Sequence, residues 1–305
     1  MNQYETAPWT VALTDGQYML VYYALVVAAL ALLASFLHSL TSREEVGPRY
    51  RPAVIASIAI KGVAFVSYVA LILNFDLGYD RTGGGYVPNE SAIGSFAPRY
   101  MDWTVTVPLL CACLLVVTGI AGGAARRTRF IAMTAAFFMI LFGYLGGVVI
   151  EGGESVTALI TFGLISTVFF VVVYVVLIRA VRHHLGELSN EAGRSLVNAL
   201  LLLLTVWLIY PLAYLVQIVS SGGEWTTAIQ IAYSAADIAA KVGFGALIHK
   251  VAKVRTADDI RHGIDVHRES TWISSIKKAD AALPPVHATV SQSTPSAARR
   301  RGRWS

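Results

Sequence analysis

Apolar residues run through this chain in long blocks separated by short charged connections. Seven blocks approach or exceed the ~20 residues that a helix needs to cross a bilayer. They lie at about 16–40, 52–75, 98–121, 128–149, 156–181, 195–219 and 227–251. The pattern predicts an all-α membrane protein, a seven-transmembrane-helix bundle within residues 1–253. After the second block, DLGYDRTGGGYVPNESAIGSFAP has the glycines and the YVPNES segment of an ordered loop or short hairpin, expected to cap the bundle. Residues 254–305 change character, being rich in Ser, Thr, Ala, Pro and basic residues with no sustained apolar period. They predict a largely disordered tail whose RRRGR run meets anionic lipid.

The connections are asymmetric in charge. SREEVGPRYR, GGAARRTR and VRHHLGELSNEAGR hold most loop arginines, while the opposite side holds Asp76, Asp80, Glu90, Glu151, Glu154 and Glu224. Basic loops stay in the cytoplasm, so the N-terminus is expected outside and the C-terminus inside, in a multi-pass protein of the cell membrane. MNQYETAPWT lacks the basic region and cleavage site of a signal peptide, so the first helix is expected to stay in the mature chain.

Composition agrees, with 55% hydrophobic and 14% charged residues. The net charge of +5 reads as membrane orientation and not as nucleic-acid binding. Cys111 and Cys113, the only cysteines, point in different directions on one helix and match neither a disulfide nor a zinc spacing. The tail is too short and polar for a kinase or cyclase, so no enzyme activity is expected. The expected partners are membrane lipid, further copies of the chain, and a separate signalling protein.

Chemistry enters with the last block, IQIAYSAADIAAKVGFGALIHK, where Asp237 and Lys241 share one helical face near the middle. A charge at bilayer depth costs at least ~2.5–3.5 kcal/mol, so both must face the interior and find partners. The pair is either a structural ion pair or a lysine set up to form a Schiff base with a carbonyl compound.

The third block supplies partners. In RYMDWTVTVPLLCAC, Arg99, Asp102, Thr106, Leu110 and Cys113 fall on one stripe. Arg99 and Lys241 against Asp102 and Asp237 make a neutral four-charge cluster, the kind a low-dielectric interior tolerates. In LLLLTVWLIYPLAYLVQ, Trp207, Tyr210 and Tyr214 share a face and Pro211 kinks the helix by freeing a carbonyl. With Trp103 these aromatics form walls for a flat apolar ligand.

Together, RYMDWTVTVPLL, WLIYPLAYL and DIAAKVGFG resemble the microbial, type I rhodopsin family, which includes bacteriorhodopsin and the proteorhodopsins. The resemblance spans about residues 16–253 and implies all-trans retinal carried on Lys241 as a protonated Schiff base. It implies that Asp102 is the primary counterion and proton acceptor, Asp237 the second counterion, Thr106 a hydrogen-bond partner of Asp102, and Arg99 the barrier to the outer side. Trp103, Leu110, Trp207, Tyr210, Pro211 and Tyr214 would line the retinal pocket, with Leu110 tuning its colour. Tyr68 and Tyr210 would hydrogen-bond to the counterion cluster.

The chain departs from the family's efficient proton pumps in two ways. Cys113 stands where those pumps carry the carboxylate that returns a proton to the Schiff base, and a buried thiol is a poor substitute. Lys61 lies on the inward face of the second helix, about 15 Å deep at 1.5 Å per residue, with no carboxylate in the cytoplasmic halves of the spans to pair with it. Together they are expected to oppose proton uptake and prolong the deprotonated state. The expected function is therefore a slow-cycling photosensor or photoswitch driven by proton transfer from Lys241 to Asp102. The alternatives are a low-turnover light-driven outward proton pump and a retinal-free seven-helix transporter.

Overall fold

The computed structural model describes residues 7–219 and 222–264. Among these, seven helical rods are long and apolar enough to cross a membrane. The first five contain α1 (Asp15–Thr41), α2 (Arg51–Leu77), α3 (Ala97–Val117), α4 (Gly122–Tyr144) and α5 (Val156–His184). The sixth is split into α6 (Asn190–Trp207) and α7 (Ile209–Val219), and the seventh into α8 (Gly223–Asp237) and α9 (Phe244–Arg261). Consecutive rods pack side by side and α8 returns to α1, closing a seven-helix all-α bundle.

Local chemistry sets several helix ends. The Thr14 hydroxyl accepts from the Gln17 amide while the Gln17 side chain accepts from the Thr14 amide, a reciprocal cap on α1. Ser155 and Ser189 cap α5 and α6 in the simpler way. α3 stops at Val117, short of the expected 121, because Gly119 and Gly122 turn the chain at positive φ and α4 starts at once. The break after Trp207 follows from Pro211, which has no N–H to offer the Trp207 carbonyl one turn back.

α3 is the central rod, with 67% of its most apolar window buried, whereas α5 lies at the rim with 11%. α5 turns Leu164, Val168 and Val171 outward, and such exposed apolar rows suit lipid.

At one end, β1 (Tyr79–Thr82) and β2 (Gly85–Pro88) form the expected hairpin. It lies across the start of α1, where Tyr86 and Leu13 exchange backbone hydrogen bonds and the Tyr86 ring stacks on Tyr18 at 3.7 Å. At the other, arginine-rich end, α9 continues to Arg261, past the residue-253 limit expected from hydropathy. Tertiary bonds hold this polar extension: Thr256 accepts from the Gly47 amide, and Asp259 accepts from Tyr50 at 2.9 Å and pairs with Arg49 at 3.3 Å. Burial pushes the Tyr50 phenol up to about 12. The expected disordered tail from residue 265 onward lies outside the described residues.

Gly85 has φ +135°, and a Cβ there would lie 2.5 Å from the Leu13 carbonyl oxygen. Gly85→Ala is expected to destabilise the cap by roughly 1–3 kcal/mol. A lower thermal midpoint of the purified protein in detergent checks this.

Candidate functional site

The seventh rod changes its winding where it carries the lysine. Residues Ile238–Gly243 form a wide turn, closed by the Phe244 amide bonding to the Ala239 carbonyl five residues back. Such turns are rare inside helices and recur at functional sites. Lys241 sits in this turn, 2% exposed. Its Nζ lies 2.5 Å from Asp102 Oδ2 on α3 and 2.9 Å from Asp237 Oδ1 one turn earlier.

The two carboxylates differ in their surroundings. Asp237 Oδ1 also accepts from Tyr210 OH at 2.8 Å and Trp103 Nε1 at 3.1 Å, and its Oδ2 accepts from Tyr68 OH at 2.9 Å. Asp102 has Lys241 on Oδ2, while its buried Oδ1 has no hydrogen-bond partner among the described residues. The Thr106 hydroxyl donates at 2.9 Å to the Asp102 backbone carbonyl and lies within reach of the Asp102 carboxylate. A proton added to Asp237 would displace a donor already in place, whereas Asp102 receives fewer protein donors.

Arg99 closes the cluster toward the hairpin end. Its guanidinium lies 3.8 Å from Asp237 Oδ2 and donates to Tyr68 OH at 2.9 Å, Gln230 Oε1 at 2.7 Å and Ser234 Oγ at 3.3 Å. Gln230 is held in turn by the Ser95 carbonyl at 3.2 Å. Two cations thus face two carboxylates in a fully buried, neutral group. Gln230 and Ser234 were not singled out from sequence, although they share the Asp237 and Lys241 stripe at spacings of four and three. Being uncharged, they carried no cost at bilayer depth to draw notice.

Beside the cluster lies a cavity of about 290 Å³, with Trp103, Trp207, Tyr210, Pro211 and Tyr214 among its walls. Gly163 keeps it open, since a Cβ there would lie 2.9 Å from the Tyr214 ring. Tyr100 and Tyr233 also line it and were missed, because single tyrosines in apolar helices usually mark ordinary packing. Leu110 is buried but is not among the walls. Cys113 and Lys61 lie outside this group, toward the arginine-rich end: the Cys113 thiol donates to the Ala53 carbonyl, and Lys61 Nζ donates to Ser39 Oγ at 2.6 Å.

The geometry defines a class, a seven-helix membrane protein with a buried lysine amine and two counterions beside an apolar chromophore-sized cavity. The chain belongs to the bacteriorhodopsin-like protein family, whose model matches residues 19–254. Bacteriorhodopsin-I of Haloarcula marismortui is 31% identical over 215 residues, covering 67% of this chain and 78% of that protein. Sensory rhodopsin I of the same organism is 32% identical over 234 residues, covering 73% and 86%. The structure of xanthorhodopsin, described as a light-driven ion pump with dual chromophore, superposes with a TM-score of 0.73 at 29% identity, covering 83% of this chain and 99% of that one. The family implies a retinal chromophore, and the aromatic cavity next to a buried amine with an unpartnered counterion oxygen fits one.

Removing one charge from a buried group leaves the others uncompensated. Asp237→Asn is expected to cost about 3–5 kcal/mol, read as a lower midpoint of denaturant unfolding in detergent.

Proposed function

We propose that this chain is a light-driven outward proton pump that carries all-trans retinal on Lys241. This reading is carried by the 2.5 Å contact from Lys241 Nζ to Asp102 Oδ2, the shortest that the amine makes. When bound, retinal supplies visible absorption and a light-driven change of shape at the Lys241 nitrogen. Asp102 receives the proton from that nitrogen, because it is the nearer carboxylate and Asp237 is already held by three side-chain donors. Asp237, saturated by Tyr68, Trp103, Tyr210 and Arg99, stays charged and holds the cluster neutral once Asp102 is protonated. Trp103 and Trp207 form part of the cavity's walls and would hold a flat chromophore in place. On the positive-inside reading, the hairpin end faces outward and Arg99 stands between Asp102 and the exterior.

A second reading, the slow-cycling photosensor, is favoured by Cys113. Its thiol proton is committed to the Ala53 carbonyl where an efficient pump keeps a carboxylate. Illumination of cells that express the protein and are supplied with retinal separates the two. The pump acidifies the medium, a protonophore abolishes the signal, and Asp102→Asn removes it while leaving a visible band. A flat trace with a slow spectral cycle selects the sensor instead. Lys241→Ala is expected to show no visible band, and a retained band would overturn the attachment.

A further inference from the structure

The half of the bundle between Lys241 and the arginine-rich end holds titratable groups that the counterion cluster does not use. On the seventh rod, Gly245, His249 and Lys253 follow Lys241 at steps of four, and His249 stands about 12 Å further along at 1.5 Å per residue. Lys61, 3% exposed, reaches this row from α2. Gly245 makes the room, since a Cβ on it would lie 2.9 Å from Lys61 Cε and 2.8 Å from Ser57 Oγ. Lys61 is within electrostatic reach of Cys113 on one side and His249 on the other. His249 Nε2 lies 3.2 Å from Glu45 Oε2, and Lys253 Nζ lies 2.6 Å from the same oxygen. The groups facing Lys61 are thus Ser39 of α1, Ser57 of α2, Cys113 of α3 and His249 of α9; those facing His249 are Glu45, Lys253 and Lys61.

The bonding leaves these groups free to change protonation. Among the described residues Lys61 has no carboxylate within ion-pair distance, and its partner Ser39 is a hydroxyl. A hydroxyl accepts from an ammonium and donates to a neutral amine, so the contact survives in both states. Imidazole likewise trades protons between two nitrogens. Burial would raise the Glu45 carboxyl, but hydrogen bonds from Lys253 and His249 outweigh it and hold it below the ordinary range. Glu45 therefore stays an anion and attracts protons at the surface. The Cys113 thiol, turned to the Ala53 carbonyl, offers nothing toward Lys241.

We propose that Glu45, His249 and Lys61 form the route by which a proton from the cytoplasm returns to the Lys241 nitrogen, replacing the carboxylate that Cys113 displaces. The inference rests on the pump reading. The proton balance is closed: the Lys61 ammonium gives its proton toward the Lys241 nitrogen, His249 restores it to the Lys61 amine, and one proton taken from the cytoplasm past the Glu45 carboxylate restores His249. This route reverses the expectation that Lys61 opposes proton uptake.

Flash spectroscopy of the retinal-loaded protein tests it by following decay of the blue-shifted absorption at several pH values, with and without azide, a small weak acid that delivers protons directly. Lys61→Met and His249→Gln are each expected to slow recovery about tenfold or more. In each, the rate should follow the bulk proton concentration and azide should restore it, which a merely structural role would not produce. Glu45→Gln should slow recovery less and leave the azide response intact. Unchanged or faster recovery in Lys61→Met or His249→Gln overturns the route, as does slowing that azide does not relieve. Should Lys61→Met fail to bind retinal, His249→Gln and Glu45→Gln decide alone, by slower or unchanged recovery. If the unsubstituted chain never forms the blue-shifted state, the fault lies with proton transfer to Asp102, and the route falls with it.

Discussion

Charge in a low-dielectric interior is the constraint on which this structure depends. Four formal charges lie within one buried group on α3, α8 and the wide turn, where none could persist alone. Their neutral sum lets the third rod occupy the centre of the bundle while carrying an arginine and an aspartate. Everything nearby serves the same end: tyrosine hydroxyls and an indole N–H point at Asp237, and Gln230 and Ser234 hold the guanidinium.

The proposed function draws on unevenness inside that balance. Had both carboxylates been equally served, the group would be a structural ion cluster. Asp237 takes more protein donors than Asp102, and on the pump reading it is the fixed anion and Asp102 the one that changes. The wide turn at Ile238–Gly243 contributes by setting Lys241 between them, and the cavity behind Trp103 and Trp207 gives a chromophore its place.

Much of this was legible in the sequence because it follows helical spacing. The stripe from Arg99 to Cys113 and the Asp237 and Lys241 pair can be read by counting threes and fours, as can the aromatic face of the sixth rod. Spacing could not show that Gln230 and Ser234 would hold the Arg99 guanidinium, since uncharged side chains carry no cost at bilayer depth. It also could not join Glu45 to His249, residues 204 positions apart and brought together only by closure of the bundle. α9 outruns its apolar stretch for a related reason. Hydropathy ends the helix where apolar residues end, but Thr256 and Asp259 prolong it through bonds to the chain before α2.

That prolonged helix fastens the rod bearing Lys241 to three neighbours at once. Arg255 binds the Val117 carbonyl at the end of α3 and lies over the Tyr50 ring, Asp258 accepts from Ser189 at the start of α6, and Asp259 holds Tyr50. The rod is therefore built like a piston rod clamped at its base. Load on this base is shared among the starts of α2 and α6 and the end of α3.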